Sequence, residues 1–165
     1  MVVEKNQDVE KLVELVKDIR TCMLITHGQN GEDISGRPMG INTVDADGTM
    51  WFFTKKSSLK ADELEENNRA SVAIINESSN TYLMINGNAN LIFHRQKMEE
   101  LWSPLMKVWF PKGIDDPDIV LIKMTPHEVS YWDGSASKMV VLFNMLKSFV
   151  TGKTYDEGEH GTITL

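Results

Sequence analysis

Residues 49–68 read TMWFFTKKSSLKADELEENN, and the rest of the chain is organised around this stretch. Residues 49–54 are rich in aromatic and β-branched types, which predicts a strand. Lys55, Lys56, Ser57 and Ser58 make a polar, basic loop. From Leu59 the run LKADELEENN is dense in helix formers, with Asp62 and Glu63 near its start. Ser58 stands where an N-cap belongs. A helix N-terminus presents unpaired N–H groups and partial positive charge. With Lys60 in the first turn and two serine hydroxyls beside it, such a loop suits a phosphate. A capped surface helix with solvated lysines accounts for the same residues, and on this loop alone it is the favoured reading.

On the N-terminal side, Val9, Leu12, Val13, Val16 and Ile19 recur at helical spacing, predicting an amphipathic helix over residues 8–20 capped by Asp8. An apolar strand follows at 22–26, then a glycine-rich loop at 27–37 and a second strand at 38–44. Residues 45–48, DADG, form a turn into the strand at 49–54. On the C-terminal side come a strand at 70–76, a polar turn, and a long alternating strand at 81–93. Gly87 in that strand predicts a bulge or a close backbone approach. Residues 95–108 read as a helix kinked near Pro104, leading to the aromatic loop Trp109-Phe110-Pro111-Lys112-Gly113. Strands at 119–125 and 128–132 are separated by Pro126, a helix is expected at 135–149, and a mobile tail from Thr151. About seven short strands with hairpin-length connections predict a mainly β fold with flanking helices, a closed or nearly closed antiparallel barrel.

The chain of 165 residues suits one domain over residues 1–150 with a tail at 151–165. A net charge of −7 argues against a nucleic-acid partner, which favours a basic stripe, but leaves room for a local basic pocket. Cys22 is the single cysteine, so no internal disulfide forms and a reducing compartment fits. The apolar runs fall short of the ~20 residues of a membrane span, and the first residues, MVVEKNQDVE, lack a leader pattern, so a cytoplasmic location without a membrane partner is expected. His27, His94, His127 and His160 are scattered without ligand spacing, and no metal site is expected.

Four pieces, taken in order, resemble the pyridoxine 5′-phosphate oxidase-like family of flavin-binding split barrels. They are Arg37-Pro38-Met39-Gly40-Ile41; Phe52-Phe53-Thr54 followed by Ser58-Leu59-Lys60; the strand from Tyr82 to Gly87; and Tyr131-Trp132-Asp133-Gly134. The run LWSPLMKVWFPKG at 101–113 is similar to the general stress protein branch. The resemblance implies an antiparallel split barrel that binds FMN, with FAD as the alternative, in a homodimer whose two subunits build each site. It implies that Arg37 and Lys60 neutralise the phosphate and that Ser58 donates to it. Backbone groups of Pro38, Met39, Gly40 and Ile41 would line the flavin. Phe53 and Thr54 would lie beside the ribityl chain, and Tyr82 and Trp132 would contact the cofactor. Trp109 and Phe110 either stack on the ring or fill the barrel mouth.

Two departures bear on activity. Leu59 stands where the family usually has Arg. After Trp132 the chain reads DGSASKMVVL, where true pyridoxine phosphate oxidases carry an Arg- and His-containing segment. The expectation is therefore a flavin-binding protein of the general stress type, a flavin-dependent oxidoreductase on an unknown small molecule rather than a pyridoxine phosphate oxidase. The alternatives are a protein that sequesters or senses flavin without turnover, or an interaction barrel that has lost its cofactor. No side chain qualifies as a catalytic acid, base or nucleophile; in flavin chemistry the cofactor carries the electrons.

Overall fold

The computed structural model describes residues 2–134, 145, 147, 150–152 and 159–165. The elements run α1 (Val2–Val16), β1 (Thr21–His27), β2 (Ile34–Gly40), β3 (Thr43–Val44), β4 (Met50–Lys55), α2 (Leu59–Glu66), β5 (Arg69–Asn76), β6 (Thr81–Ile92), α3 (Arg95–Leu101), a 3-10 turn (Pro104–Val108), β7 (Ile119–Asp133) and β8 (Glu159–Thr164). The strands make one antiparallel sheet in the order β2-β1-β5-β6-β7-β4-β3, with β8 also on β7. The two ends of this path, β2 and β3, are joined through Ile41 and Asn42 alone, so the sheet curls back on itself. This is the antiparallel barrel with flanking helices that the strand pattern predicts, in the split form that the family resemblance implies.

The barrel branches at β7. Its first half, Ile119 to Met124, pairs with β4, and its second half, Glu128 to Asp133, pairs with β8, while β6 runs beside both. The sequence pattern reads two strands here because Pro126 interrupts the run. They are one strand, because the ladder shifts register between Asn86 and Gly87, opposite Pro126, where no N–H is needed. A Cβ on Gly87 would stand 2.0 Å from the Thr125 carbonyl oxygen, so only glycine fits.

Strand β4 is buried along both faces, which explains its unbroken aromatic run. Met50 and Phe52 enter the main core with Leu24, Val72, Ile85, Ile122 and Met124. Trp51 and Phe53 face the other way, into a second cluster with Met98, Phe110, Ile119 and Leu121. Leu12 and Val16 of α1 are fully buried against the main core.

Several boundaries differ from the sequence pattern. Helix α1 starts at Val2 and ends at Val16, so Asp8 lies inside the helix rather than at its cap. Strand β2 begins at Ile34, inside the expected loop, because Ser35 and Arg37 turn inward toward polar partners on β1 and α2. The helix expected at 95–108 is two elements, since Ser103 accepts from the Leu105 N–H and starts a new turn at Pro104. The expected helix at 135–149 lies almost entirely outside the described residues. Within the stretch expected as a tail, Glu159–Thr164 is strand β8, held by antiparallel pairing along β7, with Ile163 buried in the main core.

Candidate functional site

The loop between β4 and α2 is anchored from below. The Ser57 N–H and hydroxyl donate to the Asp118 carboxylate at 2.9 and 2.6 Å, and the Lys56 N–H donates to the Asp118 carbonyl at 2.7 Å. These hydrogen bonds from Ser57 hold the Asp118 carboxyl below the usual range. Ser58 occupies the N-cap position of α2, but its hydroxyl donates back to the Lys55 carbonyl at 2.7 Å and lies 3.3 Å from the Thr54 hydroxyl. It makes no side-chain cap, so the amide end of α2 is not closed by its own N-cap residue.

This loop borders a cavity of about 670 Å³, within the range of small-molecule sites. Pro38, Met39 and Gly40 of β2 form one wall, and Phe53, Thr54, Ser58 and Lys60 form another. Met106, Trp109 and Phe110 supply an aromatic and thioether side. Phe53 is fixed there by an edge-on contact with Trp102 (centroids 5.6 Å apart) and a tilted one with Phe110 (6.1 Å). Trp109 is 65% exposed at the mouth.

Among the described residues, the charged side chains that line the cavity are Arg20, Lys55 and Lys60, and no carboxylate lines it. Against a chain net charge of −7, this is a local basic pocket. Lys60 makes no hydrogen bond or ion pair among the described residues. Its pKa is lowered by burial and then by the charge of Arg37. A cation in that condition is stabilised by an incoming anion. A second cavity, of about 480 Å³, is bordered by Glu65, Glu66, Asn67, Asn68 and Asn90 and, among the described residues, offers an anion no such partner.

Arg37 is placed differently from Lys60. It points into the sheet, donating to the Thr26 hydroxyl at 2.9 Å and pairing with Glu63 at 3.0 Å. Thr26 and Ser35 also donate to Glu63. Burial pushes the Glu63 carboxyl up, but the three hydrogen bonds and the charge of Arg37 outweigh it, and the pKa is lowered. The guanidinium thus pins α2 to β1 and β2, and Arg37 does not line the cavity. Ile41 is buried in the main core and does not line it either.

Tyr82 and Trp132 lie off the cavity, opposite each other on β6 and β7, with Ile75 opposite Tyr82 on β5. Ile75 and Trp132 are 70% and 52% exposed. A neighbouring row runs Pro38, Met23, Ala73, Met84 across β2, β1, β5 and β6. The two rows make an apolar strip on the outer face of the sheet, and Pro38 belongs to both the strip and the cavity wall.

Eight of the twelve residues singled out from sequence therefore share one cavity: Pro38, Met39, Gly40, Phe53, Thr54, Ser58, Lys60 and Trp109. Arg20, Thr21, Asn42, Lys55 and Met106 also line it and were not singled out. Lys55 was visible in the basic loop. Arg20 and Asn42 come from segments that only the pairing of β1 with β2 and of β3 with β4 brings to the wall.

A curled antiparallel sheet with a basic pocket at its split edge defines the class, a split-barrel protein. The profile of the family described as Pyridoxamine 5′-phosphate oxidase like matches residues 7–156, and the chain belongs to that family. A Clostridium acetobutylicum protein related to general stress protein 26 of B. subtilis is 21% identical, covers 97% of this chain and 96% of its own, and superposes with a TM-score of 0.69. A candidate general stress protein 26 from Jannaschia sp. CCS1 is 25% identical over 94% of this chain and 97% of its own, with a TM-score of 0.77. General stress protein 26 from Bacillus anthracis str. Sterne is 23% identical over 74% of this chain and 92% of its own, with a TM-score of 0.63. The fold is that of the general stress protein 26 branch. No curated protein matches the sequence. Among the described residues, no helix is long and apolar enough to cross a membrane, and no cluster of His, Cys, Asp or Glu is arranged to hold a metal.

Proposed function

We propose that this protein is a homodimeric flavin-binding protein, taking FMN with FAD as the alternative, and an oxidoreductase on a small molecule. The observation that carries the reading is the charge pattern of the cavity: lysines beside aromatic and apolar walls, and no carboxylate among the described residues that line it. That pattern suits a ligand with an anionic tail and a flat apolar ring. Ser58 and Lys60 would hold the phosphate, and the anchored loop keeps them in place. The backbone of Met39 and Gly40, with Phe53, Thr54 and Trp109, would border the ring and its side chain. A bound flavin supplies the electron transfer. The chain supplies orientation, exclusion of water and positive potential.

The outer apolar strip supports the homodimer. Two rows of exposed apolar side chains that reach the cavity wall through Pro38 are surface a second copy would bury. Tyr82 and Trp132, which lie off the cavity of their own chain, would then stand beside the site of the partner.

Sequestration of flavin without turnover is the second reading. It draws on the absence of His, Cys, Asp or Glu from the cavity wall among the described residues. Incubation with excess FMN, removal of free flavin, and a visible spectrum test the shared core of both readings, with stoichiometric colour expected. A colourless protein that elutes as a monomer in light scattering refutes both the cofactor and the dimer. Anaerobic reduction of the loaded protein by nicotinamide donors separates turnover from storage.

A further inference from the structure

Arg37 of β2 pairs with Glu63 at 3.0 Å, and Glu63 follows Lys60 by three residues on α2, so the lysine side of the cavity sits near the Arg37 position of β2. Gly40, three residues further along β2, is roughly 10 Å away at the rise of an extended strand. There the Ile41 N–H donates to the Arg20 carbonyl at 2.9 Å, and Thr21 pairs with Gly40. The backbone of Arg20 is thereby fixed beside Gly40, and the residue, exposed to solvent, lines the same cavity. Its side chain makes no hydrogen bond or ion pair among the described residues.

Asn42 stands beside it. The Phe53 N–H donates to the Asn42 side-chain oxygen at 3.1 Å, which fixes the orientation of the amide. The Asn42 NH₂ is turned toward the cavity, where its recorded partner is the Met106 sulfur at 3.6 Å. A thioether is a weak acceptor, so this donor retains most of its capacity. An unpaired guanidinium and an under-used amide donor thus line the same pocket as the lysines.

We propose that Arg20 and Asn42 form a second anion-recognising pole, and that the small molecule handled beside the flavin carries a carboxylate. This rests on the cofactor reading above, in which the lysine pole is taken by the flavin phosphate. The planar guanidinium fork matches the two oxygens of a carboxylate, and the Asn42 amide adds a third donor. Neutral ring compounds of the same shape leave these donors unpaired and bind less well.

The test uses FMN-loaded protein and two probes of equal size, benzoate and benzamide, followed by the change in the flavin visible spectrum. Failure of the native protein to load FMN overturns the cofactor reading and this inference with it. In loaded protein, benzoate should bind about tenfold or more tighter than benzamide, the size expected of charge-assisted hydrogen bonds. Arg20→Gln should still load FMN and should bring the preference to within about threefold, since it keeps polar contact but loses the charge. Asn42→Asp keeps the acceptor for the Phe53 N–H but replaces the donor with a negative oxygen, and should abolish benzoate binding. Equal binding of the two probes to native protein, or an unchanged preference in both variants, overturns the proposal while leaving the cofactor reading intact. An Arg20→Gln protein that no longer holds FMN overturns it too, by giving Arg20 to the cofactor.

Discussion

Replacing Lys60 with Ala should separate recognition of the phosphate from recognition of the ring. Lys60 is half-buried and lacks an anion partner among the described residues, and its charge is disfavoured first by burial and then by Arg37. A phosphate at about 4 Å in an effective dielectric near 20 would attract it by about 4 kcal/mol per unit charge before desolvation is counted. Measured hydrogen bonds to charged groups retain about 1.5–3 kcal/mol of such gross attraction. Partial exposure places Lys60 in the lower half of that range, about 1.5–2 kcal/mol, or roughly a 10- to 30-fold loss of FMN affinity. Riboflavin, with the same ring and no phosphate, should lose less than about twofold. The native affinity for FMN should weaken with added salt, and Lys60→Ala should flatten that dependence. The pH dependence has a definite sign. A lysine whose pKa is lowered in the free protein and restored by a bound phosphate keeps full affinity below its depressed pKa. Affinity falls as pH rises through that value, earlier than for an ordinary lysine, and Lys60→Ala should remove the effect. Titrating both ligands into both proteins at two salt concentrations and across pH, with the FMN-to-riboflavin ratio as the readout, decides it. Equal losses for the two ligands, or none for either, would refute the assignment of Lys60 to the phosphate.

Gly87→Ala places a methyl group 2.0 Å from the Thr125 carbonyl and should cost about 3 kcal/mol or more in urea unfolding. Gly40→Ala, whose nearest recorded neighbour is 4.0 Å away, should stay within about 0.5 kcal/mol, so equal stabilities would contradict the bulge geometry. Glu63→Gln leaves Arg37 part-buried without its counter-charge and should cost about 2–3 kcal/mol at neutral pH, read from the unfolding midpoint. Because the Glu63 pKa is lowered on folding, its contribution is present above the ordinary carboxylate pKa and lost as pH falls through the folded value. The gap between native and Glu63→Gln protein should therefore narrow in acid; a gap independent of pH would show that the ionised carboxylate is not what matters. Trp132→Asp should shift a dimer toward monomer in light scattering if the exposed strip is the subunit interface, and an unchanged mass would place the interface elsewhere.

Where side-chain chemistry and strand periodicity act locally, the sequence was readable. The run 49–68 announced β4, its loop and α2, because aromatic density, a lysine-serine loop and a helix-forming tail each have local causes. Gly87 announced its bulge, because a glycine inside an alternating strand has few other uses. Strand β2 was half missed, since Ser35, Gly36, Arg37 and Gly40 have weak strand propensity and are held by partners on β1 and α2. Strand β8 was missed for a similar reason: HGTIT is too short and polar to stand alone, and pairing with β7 holds it.

The candidate site divides along the same line. The lysine end was legible because Ser58 and Lys60 sit two residues apart at the start of a helix, where one local rule covers both. The Arg20 end was not, because Arg20, Asn42 and Phe53 meet through ladder register and a backbone-to-side-chain hydrogen bond. Arg37 shows the limit of reading a cation by its neighbours in sequence. It stands beside the cavity strand and looks like a phosphate ligand, yet a glutamate 26 positions later holds its guanidinium. That pairing gives Arg37 two effects at once. It fixes α2, and so the position of Lys60, and its remaining field adds to the burial that chiefly lowers the Lys60 pKa. Removing Arg37 should then loosen the helix and relax the lysine together. Arg37→Met is expected to lower stability by about as much as Glu63→Gln, while moving the pH dependence of FMN affinity part of the way toward that of an ordinary lysine, since burial, the larger cause of the shift, remains. A direct phosphate ligand would instead lose FMN affinity without that movement, so the midpoint of the pH profile, rather than the affinity alone, distinguishes the two roles.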